Sequence, residues 1–442
     1  MFLTEENFLK DIGAYHHSFP KKNTTSNYSN AISNVLLDFS KQLTILYRNP
    51  ITVFDFITEI DSKDKRVYNI REWLDFFYLV LVEDRMNVLK RFYNSYLFTD
   101  EINTLFKQEL FQDSLSELKK SLIDEDEKTI FIQRKDKTKR ILRNLYAKEI
   151  LNDTTITNSI KGKPNFWKSL QDFFQGKIDD RLFAPSSIAL YLRDKTTQTP
   201  IYLLQQYQSK ASILNPAVLY TLLHTKLNGN AKSKNKKIFT PEMSWSSYLL
   251  TLLSSGEEWN EYVGVDVMDI VIQKSNYLFD LFKQRNPNSK KAVKLYKTPS
   301  ESLLKHKGFL NEYSRTIDTI FYCPPYFDME IYPDSSGKQS IDLYPDYESW
   351  LNNYLFSTLK LCNIVLRPGG KMGVMIGNYH KKLNGEFYDL IGDFTNFMKS
   401  QNNLVLEDTY FLKNRTSPLK NNDKLRGEIL FIFTKKDSIK SI

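Results

Sequence analysis

The sequence predicts an open α/β sheet domain with a helical region ahead of it. Three observations lead there. From about residue 238 onward, short apolar runs alternate with stretches of helical spacing, the pattern of an α/β fold. One of those runs, residues 319–327, stops abruptly at Pro324 and Pro325. Between about residues 30 and 180 the apolar spacing is helical.

The run at 319–327 organises the rest. Ile320, Phe321 and Tyr322 read as a buried strand. The two prolines end it, because neither can donate to a ladder and each restricts the residue before it. A rigid turn at the carboxyl end of a strand is where open α/β sheets place their ligands. This turn presents Cys323, backbone carbonyls and the aromatic face of Tyr326.

Composition narrows the class. A chain of 442 residues has room for two to three domains, and 41% hydrophobic content fits folded protein throughout. With 61 Lys+Arg against 52 Asp+Glu, the net charge of +9 suits a polyanionic partner. Two cysteines, Cys323 and Cys362, and five scattered histidines show no metal spacing, which argues against a zinc site or a disulfide framework. The opening residues carry acids where a signal peptide needs bases, and no apolar run is long enough to cross a bilayer. The expectation is therefore a soluble, intracellular chain.

In chain order, Ile32, Val35, Leu36, Phe39, Leu43 and Leu46 make one helical stripe, and Trp73, Phe76, Phe77, Val80 and Leu81 a second. The densest basic run follows, with Lys139, Arg140 and Arg143 sharing a helical face, either as a solvated surface or as a phosphate contact. Pro216 fits the first turn of a helix running through Leu222 and Leu223. After a polar, basic connector comes the strand Ile238-Phe239-Thr240, then the turn Pro241-Glu242-Met243-Ser244-Trp245-Ser246, then an apolar helix. The strand at 261–266 ends in Asp266, where nucleotide-binding α/β folds accept ribose hydroxyls; the residue equally suits a helix N-cap. A helix at 270–282, a strand at 293–296 and the turn Thr298-Pro299-Ser300 continue the alternation. Beyond the central turn, the spacing predicts a helix over 344–362, a Pro368-Gly369-Gly370 turn and a strand over 371–377. A helix at 387–398 and two strands, at 405–411 and 429–434, close the chain. The loop between those strands is basic and polar, with Lys413 and Arg415.

Cys323-Pro324-Pro325-Tyr326 resembles motif IV of the S-adenosylmethionine (SAM)-dependent DNA amino-methyltransferases, whose pattern is Asp, Asn or Ser, then Pro-Pro, then an aromatic residue. An exocyclic amine conjugated to its ring is a poor nucleophile, and acceptors on its hydrogens draw the lone pair out of the ring. In that family the first side chain and the first proline carbonyl are those acceptors, and the aromatic residue stacks on a flipped base. Here a thiol, a weak acceptor, stands first, so the Pro324 carbonyl is expected to carry more of the work. The turn at 240–247 resembles the family's SAM-binding loop, with Ser244, Ser246 and Ser247 where glycines stand and Thr240 in place of the acid. Glycine tolerates positive φ there, so the serines imply a different turn conformation or a receding backbone, and weaker affinity.

The resemblance covers about residues 183–436. It implies a Rossmann-like methyltransferase domain over 181–442, and the helical spacing ahead of it reads as a helical domain over 1–180. The resemblance also implies SAM as cofactor, held by Thr240, Pro241, Ser244, Ser246, Asp266 and Thr298. Cys323, Pro324, Pro325 and Tyr326 would be catalytic and DNA the partner; by charge alone, Lys139, Arg140, Arg143, Lys413 and Arg415 are the residues expected to meet it. The implied reaction methylates N6 of adenine or N4 of cytosine, adenine favoured. A protein partner for the helical domain fits as well. An inactive assembly subunit and an RNA or protein amide methyltransferase are the rival readings. Residues 327–332 resemble phage- and virus-type members.

Overall fold

The computed structural model describes residues 1–13, 85–111, 128–132, 137–152, 213–228, 235–328, 332, 337–380, 387–414 and 428–437, with single positions at 55, 58, 167, 168, 170 and 171. The stripes expected at 32–46 and 73–81 lie outside the described residues, as do Arg415 and residues 329–331.

The strands are β1 (Thr129–Ile132), β2 (Lys236–Thr240), β3 (Trp259–Asp266), β4 (Ala292–Lys297), β5 (Ile317–Tyr322), β6 (Leu366–Gly377), the short β7 (Tyr379–His380) and β8 (Phe387–Tyr388), β9 (Leu404–Asn414) and β10 (Glu428–Lys435). Eight of them make one sheet in the order β1-β9-β10-β6-β5-β2-β3-β4, and β7 pairs with β8 alone. Every pairing in the large sheet is parallel except those of β10, which runs antiparallel to β6 and β9. Numbered from β2, the strands lie 3-2-1-4-5-7-6 with the seventh reversed. This is the Rossmann-like methyltransferase fold that the sequence implies.

The central strand explains itself. All six residues of β5 are buried, as a parallel strand covered on both faces requires, and it ends two residues before the prolines that forbid its extension. Side chains alternate between two cores, one on each face: Ile238 and Phe321 belong to the first, Phe239, Ile320 and Tyr322 to the second. Fully burying each of the Ile and Phe side chains among them contributes roughly 1.5–3 kcal/mol.

Six helices matter for the site: α1 (Lys137–Leu145), α2 (Pro216–His224), α3 (Ser247–Ser254), α4 (Asp269–Arg285), α5 (Phe356–Val365) and α6 (Leu390–Lys399). α2 starts as its sequence predicts, with Pro216 in the first turn and the Asn215 side chain accepting from Ala217 N at 2.9 Å. Thr251 Oγ1 of α3 donates to the Pro216 carbonyl at 3.0 Å and Ser247 Oγ to that of Leu214 at 2.8 Å, which ties α2 and α3 together on one face. The helix expected over 344–362 is interrupted by a π-helical turn, Trp350–Leu355, before α5 begins.

Periodicity did not announce β1. A four-residue strand inside a region of helical spacing, it pairs in parallel with β9 and covers an edge that would otherwise expose unpaired amides. No helix among the described residues is long and apolar enough to cross a membrane.

Candidate active site

The strand order reverses between β2 and β5, and the crevice beyond the carboxyl ends of strands at such a point is where doubly wound sheets bind ligands. A cavity of about 270 Å³ opens there. Pro241, Glu242, Ser244 and Trp245 follow β2, Asp266 ends β3, Thr298 to Glu301 follow β4, and Cys323 to Tyr326 follow β5; all line it. Tyr332, Lys338 and Gln339 form another part of the wall, with Glu428 of β10 and Lys139 of α1.

Most of the residues singled out in the sequence therefore meet in one place: Pro241, Ser244, Asp266, Thr298, Cys323, Pro324, Pro325, Tyr326 and Lys139. Others stand behind the wall. Thr240 is fully buried and its Oγ1 lies 2.7 Å from the Tyr262 hydroxyl. Ser246 is also fully buried, 2.7 Å from Ser275 Oγ and hydrogen-bonded to the Tyr146 hydroxyl. The basic face divides: Lys139 lines the cavity, whereas Arg140 donates to the Phe98 carbonyl at 3.3 Å and Arg143 sits 4.6 Å from the centre of the Tyr96 ring. The Lys413 side chain and Arg415 lie outside the described residues.

The turn after β2 differs from its expectation. Ser244, Trp245 and Ser246 all adopt left-handed backbone, with φ of 43°, 54° and 61°. The serines thus take up positive φ themselves, and Ser244 and Trp245 still reach the cavity. Left-handed backbone costs a non-glycine residue roughly 1–2 kcal/mol, and such strain persists where surroundings over-determine it. Glu242 supplies part of that hold. Its carboxyl accepts from Ser244 N at 2.8 Å, from the Tyr248 hydroxyl at 2.6 Å and from the backbone N–H of Cys323. One side chain therefore joins the turn after β2 to the Pro-Pro-Tyr turn.

Four carboxyls face the cavity. Burial pushes Glu242 up to about 8, the Tyr248 hydrogen bond opposing it and the neighbouring Asp266 adding to it. Burial raises Asp266 to about 6 against the backbone N–H groups of Met268, Met243 and Val267. Its Oδ1 accepts from Met268 N at 2.9 Å, so Asp266 braces the start of α4 while also facing the cavity. Glu301 is 8% exposed; its Oε1 accepts from the Tyr344 hydroxyl at 3.1 Å and its Oε2 has no partner. Glu428 Oε1 accepts from the Tyr326 hydroxyl at 3.3 Å, and burial raises its pKa against that bond and the charge of Lys139.

Sequence reasoning assigned no role to Glu242 or Glu301, though both lie in turns expected at the site, and it missed Glu428. The signal for the first was present: an acid directly after Pro241, in a turn otherwise of apolar and serine residues, two places beyond Thr240, which stands where the family's acid would be. Nothing in the sequence brings Glu428 to Tyr326.

No family model matches the chain, and no match is found among curated proteins. Among solved structures it is similar to a candidate class I S-adenosylmethionine-dependent methyltransferase from Listeria monocytogenes. The identity is 18% over 76% of this chain and 89% of that one, with a TM-score of 0.33. A SAM-dependent O-methyltransferase from Thermotoga maritima is 11% identical over 52% of this chain and 68% of that one, TM-score 0.30. A candidate DNA modification methylase from Thermus thermophilus is 14% identical over 30% of this chain and 53% of that one, TM-score 0.21. At these scores the likenesses add nothing to the strand order, which fixes the fold by itself.

Proposed function

We propose that the protein is a SAM-dependent methyltransferase acting on an exocyclic amino group of a DNA base, adenine N6 before cytosine N4. The observation that carries this reading is a single cavity joining the turns after β2, β3 and β4 to the Pro-Pro-Tyr turn after β5. The residues fit the cofactor. Glu301 Oε2, buried without a partner, offers an acceptor to the amino group of an adenine ring. Asp266 stands where ribose hydroxyls are met, and Glu242 and Asp266 are matched to a cationic ligand.

When bound, the cofactor supplies an electrophilic methyl group to a nucleophile held in line with it. The protein's own part is positioning. The Pro324 carbonyl accepts a hydrogen of the target amine, Cys323 adds a weak acceptor beside it, and Tyr326 offers an aromatic face to the base. Lys139 and Lys338 give the mouth positive charge suited to phosphate. In this reading the region ahead of residue 181 faces DNA or a protein partner, and residues 327–332 fit a phage or viral member of the family.

Calorimetry at high micromolar SAM tests the cofactor. Binding is expected to release a proton fraction near neutral pH, because a cation beside Glu242 and Asp266 lowers carboxyl pKa values of about 8 and about 6. The observed heat should then depend on the buffer's ionisation enthalpy. The uncharged-sulfur product S-adenosylhomocysteine should release fewer protons. Absence of heat and of any ligand-dependent melting shift overturns the reading, and nucleoside analysis of treated DNA and RNA identifies the target base.

Lys139 gives a separate test of the partner. Lys139→Glu is expected to weaken binding to DNA of any sequence and to reduce the salt slope by about 1 to 2, one to two phosphate contacts' worth. Unchanged salt dependence would remove α1 from the DNA surface. Arg140 and Arg143 serve poorly here, since reversing either breaks its contact with Phe98 or Tyr96.

A further inference from the structure

The segment ahead of the sheet reaches behind the turn after β2. Tyr146, fully buried, follows directly on α1. Its hydroxyl is hydrogen-bonded to Ser246 Oγ, which lies 2.7 Å from Ser275 Oγ on α4. Its ring meets Trp245 edge-on, with centroids 5.3 Å apart. Lys274 lies 4.9 Å from the centre of the same ring, its ammonium fixed at 2.7 Å by both the Leu145 carbonyl and Glu149. Tyr146 is thus itself held, and it touches two of the three left-handed residues. Trp245 in turn lines the cavity and packs against Tyr332, 5.9 Å between centroids.

We propose that Tyr146 is a positioning residue for the cofactor turn: its hydroxyl and ring hold Trp245 and Ser246 in the left-handed conformation that glycine would adopt unaided. A side chain 100 positions away in sequence thereby sets how firmly the backbone is presented to the cofactor. The inference rests on the reading of this turn as the SAM site. Its logic is substitutive. Glycine adopts positive φ without steric penalty and needs no outside support; serine and tryptophan need neighbours that leave no other conformation open. Ser244, the first of the three, is held by Glu242 from within the turn, the other two are held by Tyr146, and Ser246 also by Ser275 of α4.

The test is a double-mutant cycle read as SAM affinity by calorimetry, well below the melting temperature, on the full chain. Tyr146→Phe is expected to raise the SAM Kd about tenfold with the circular dichroism spectrum unchanged. Ser246→Gly sets a second reference level. In that background, Tyr146→Phe is expected to change the Kd less than twofold, because glycine no longer depends on the hydroxyl. An unaltered Kd for Tyr146→Phe overturns the proposal. So does an equal loss in the serine and glycine backgrounds, which would mark Tyr146 as packing only. Should Tyr146→Phe not fold, Ser275→Ala removes the other grip on Ser246 and is expected to weaken SAM several-fold; an unchanged Kd there also overturns the proposal. A parent protein that binds no SAM removes the cofactor reading itself, and the proposal with it, a result recognisable because no variant is needed to see it.

Discussion

Replacing Glu242 by alanine is expected to lower the unfolding free energy by roughly 3–5 kcal/mol and to abolish SAM binding. The carboxyl serves three donors at once: Ser244 N, the Tyr248 hydroxyl and the backbone N–H of Cys323. Tyr248 is fully buried. Alanine would strand these donors, at about 1–3 kcal/mol for each left without water. It would also free Ser244 from the conformation that Glu242 imposes. Glu242→Gln is the contrasting variant, since an amide keeps an acceptor but must aim an N–H₂ at one of the donors; its loss should be well short of alanine's.

The same residue predicts a pH dependence with a definite sign. The folded-state pKa of about 8 lies above the ordinary 4.5, so between those values the native state keeps a proton that the unfolded chain gives up. The stability this group contributes is complete below the lower value and is lost as pH rises through the upper one. Asp266, raised from 3.8 to about 6, acts in the same direction over a lower window. Urea unfolding at about pH 5 and about pH 8 should therefore show the parent weakening with rising pH and Glu242→Gln weakening less. Parallel slopes in the two proteins would count against a neutral Glu242.

The fold was legible because its signals are local. A buried parallel strand must be apolar along its whole length, prolines must end it, and Pro216 with Asn215 must start a helix wherever they fall. Those constraints act within about ten residues, and the strands at 236–240, 259–266, 292–297 and 317–322 follow from them. The cavity was legible at second hand, since loops after consecutive parallel strands share one edge of a sheet whatever else they contain. What stayed hidden is non-local. Thr240 looks like a ligand-facing strand end, yet its hydroxyl turns to Tyr262. Ser246 looks like a failed glycine, yet Tyr146 and Ser275 keep it where a glycine would be. β1 is too short for its alternation to stand out from the helices around it, and only the unpaired edge of β9 explains its place.

The largest effects on methyl transfer itself are expected at the Pro-Pro-Tyr turn. Tyr326→Ala removes the aromatic face offered to the base, and base–aromatic stacking is worth about 1–3 kcal/mol, so kcat/KM should fall by roughly 5- to 150-fold. Tyr326→Phe keeps the face but loses the 3.3 Å hydrogen bond to Glu428, leaving a half-buried carboxyl without that donor. A smaller but measurable loss follows, growing as pH rises and Glu428 ionises. Cys323 moves the other way. Cys323→Asn puts a carbonyl acceptor where the thiol is a weak one and adds no charge, so turnover should rise, on the order of tenfold for about 1.4 kcal/mol of added hydrogen bonding. Cys323→Asp carries the same acceptor as an anion into a wall that already holds Asp266, and a like charge there disfavours ionisation and lowers stability. Asparagine above cysteine in radiolabelled methyl incorporation, with aspartate below it in melting temperature, is the pattern of an acceptor site. Equal incorporation by parent, Cys323→Asn and Tyr326→Ala would mean that the amine is held elsewhere and that the turn only closes the strand.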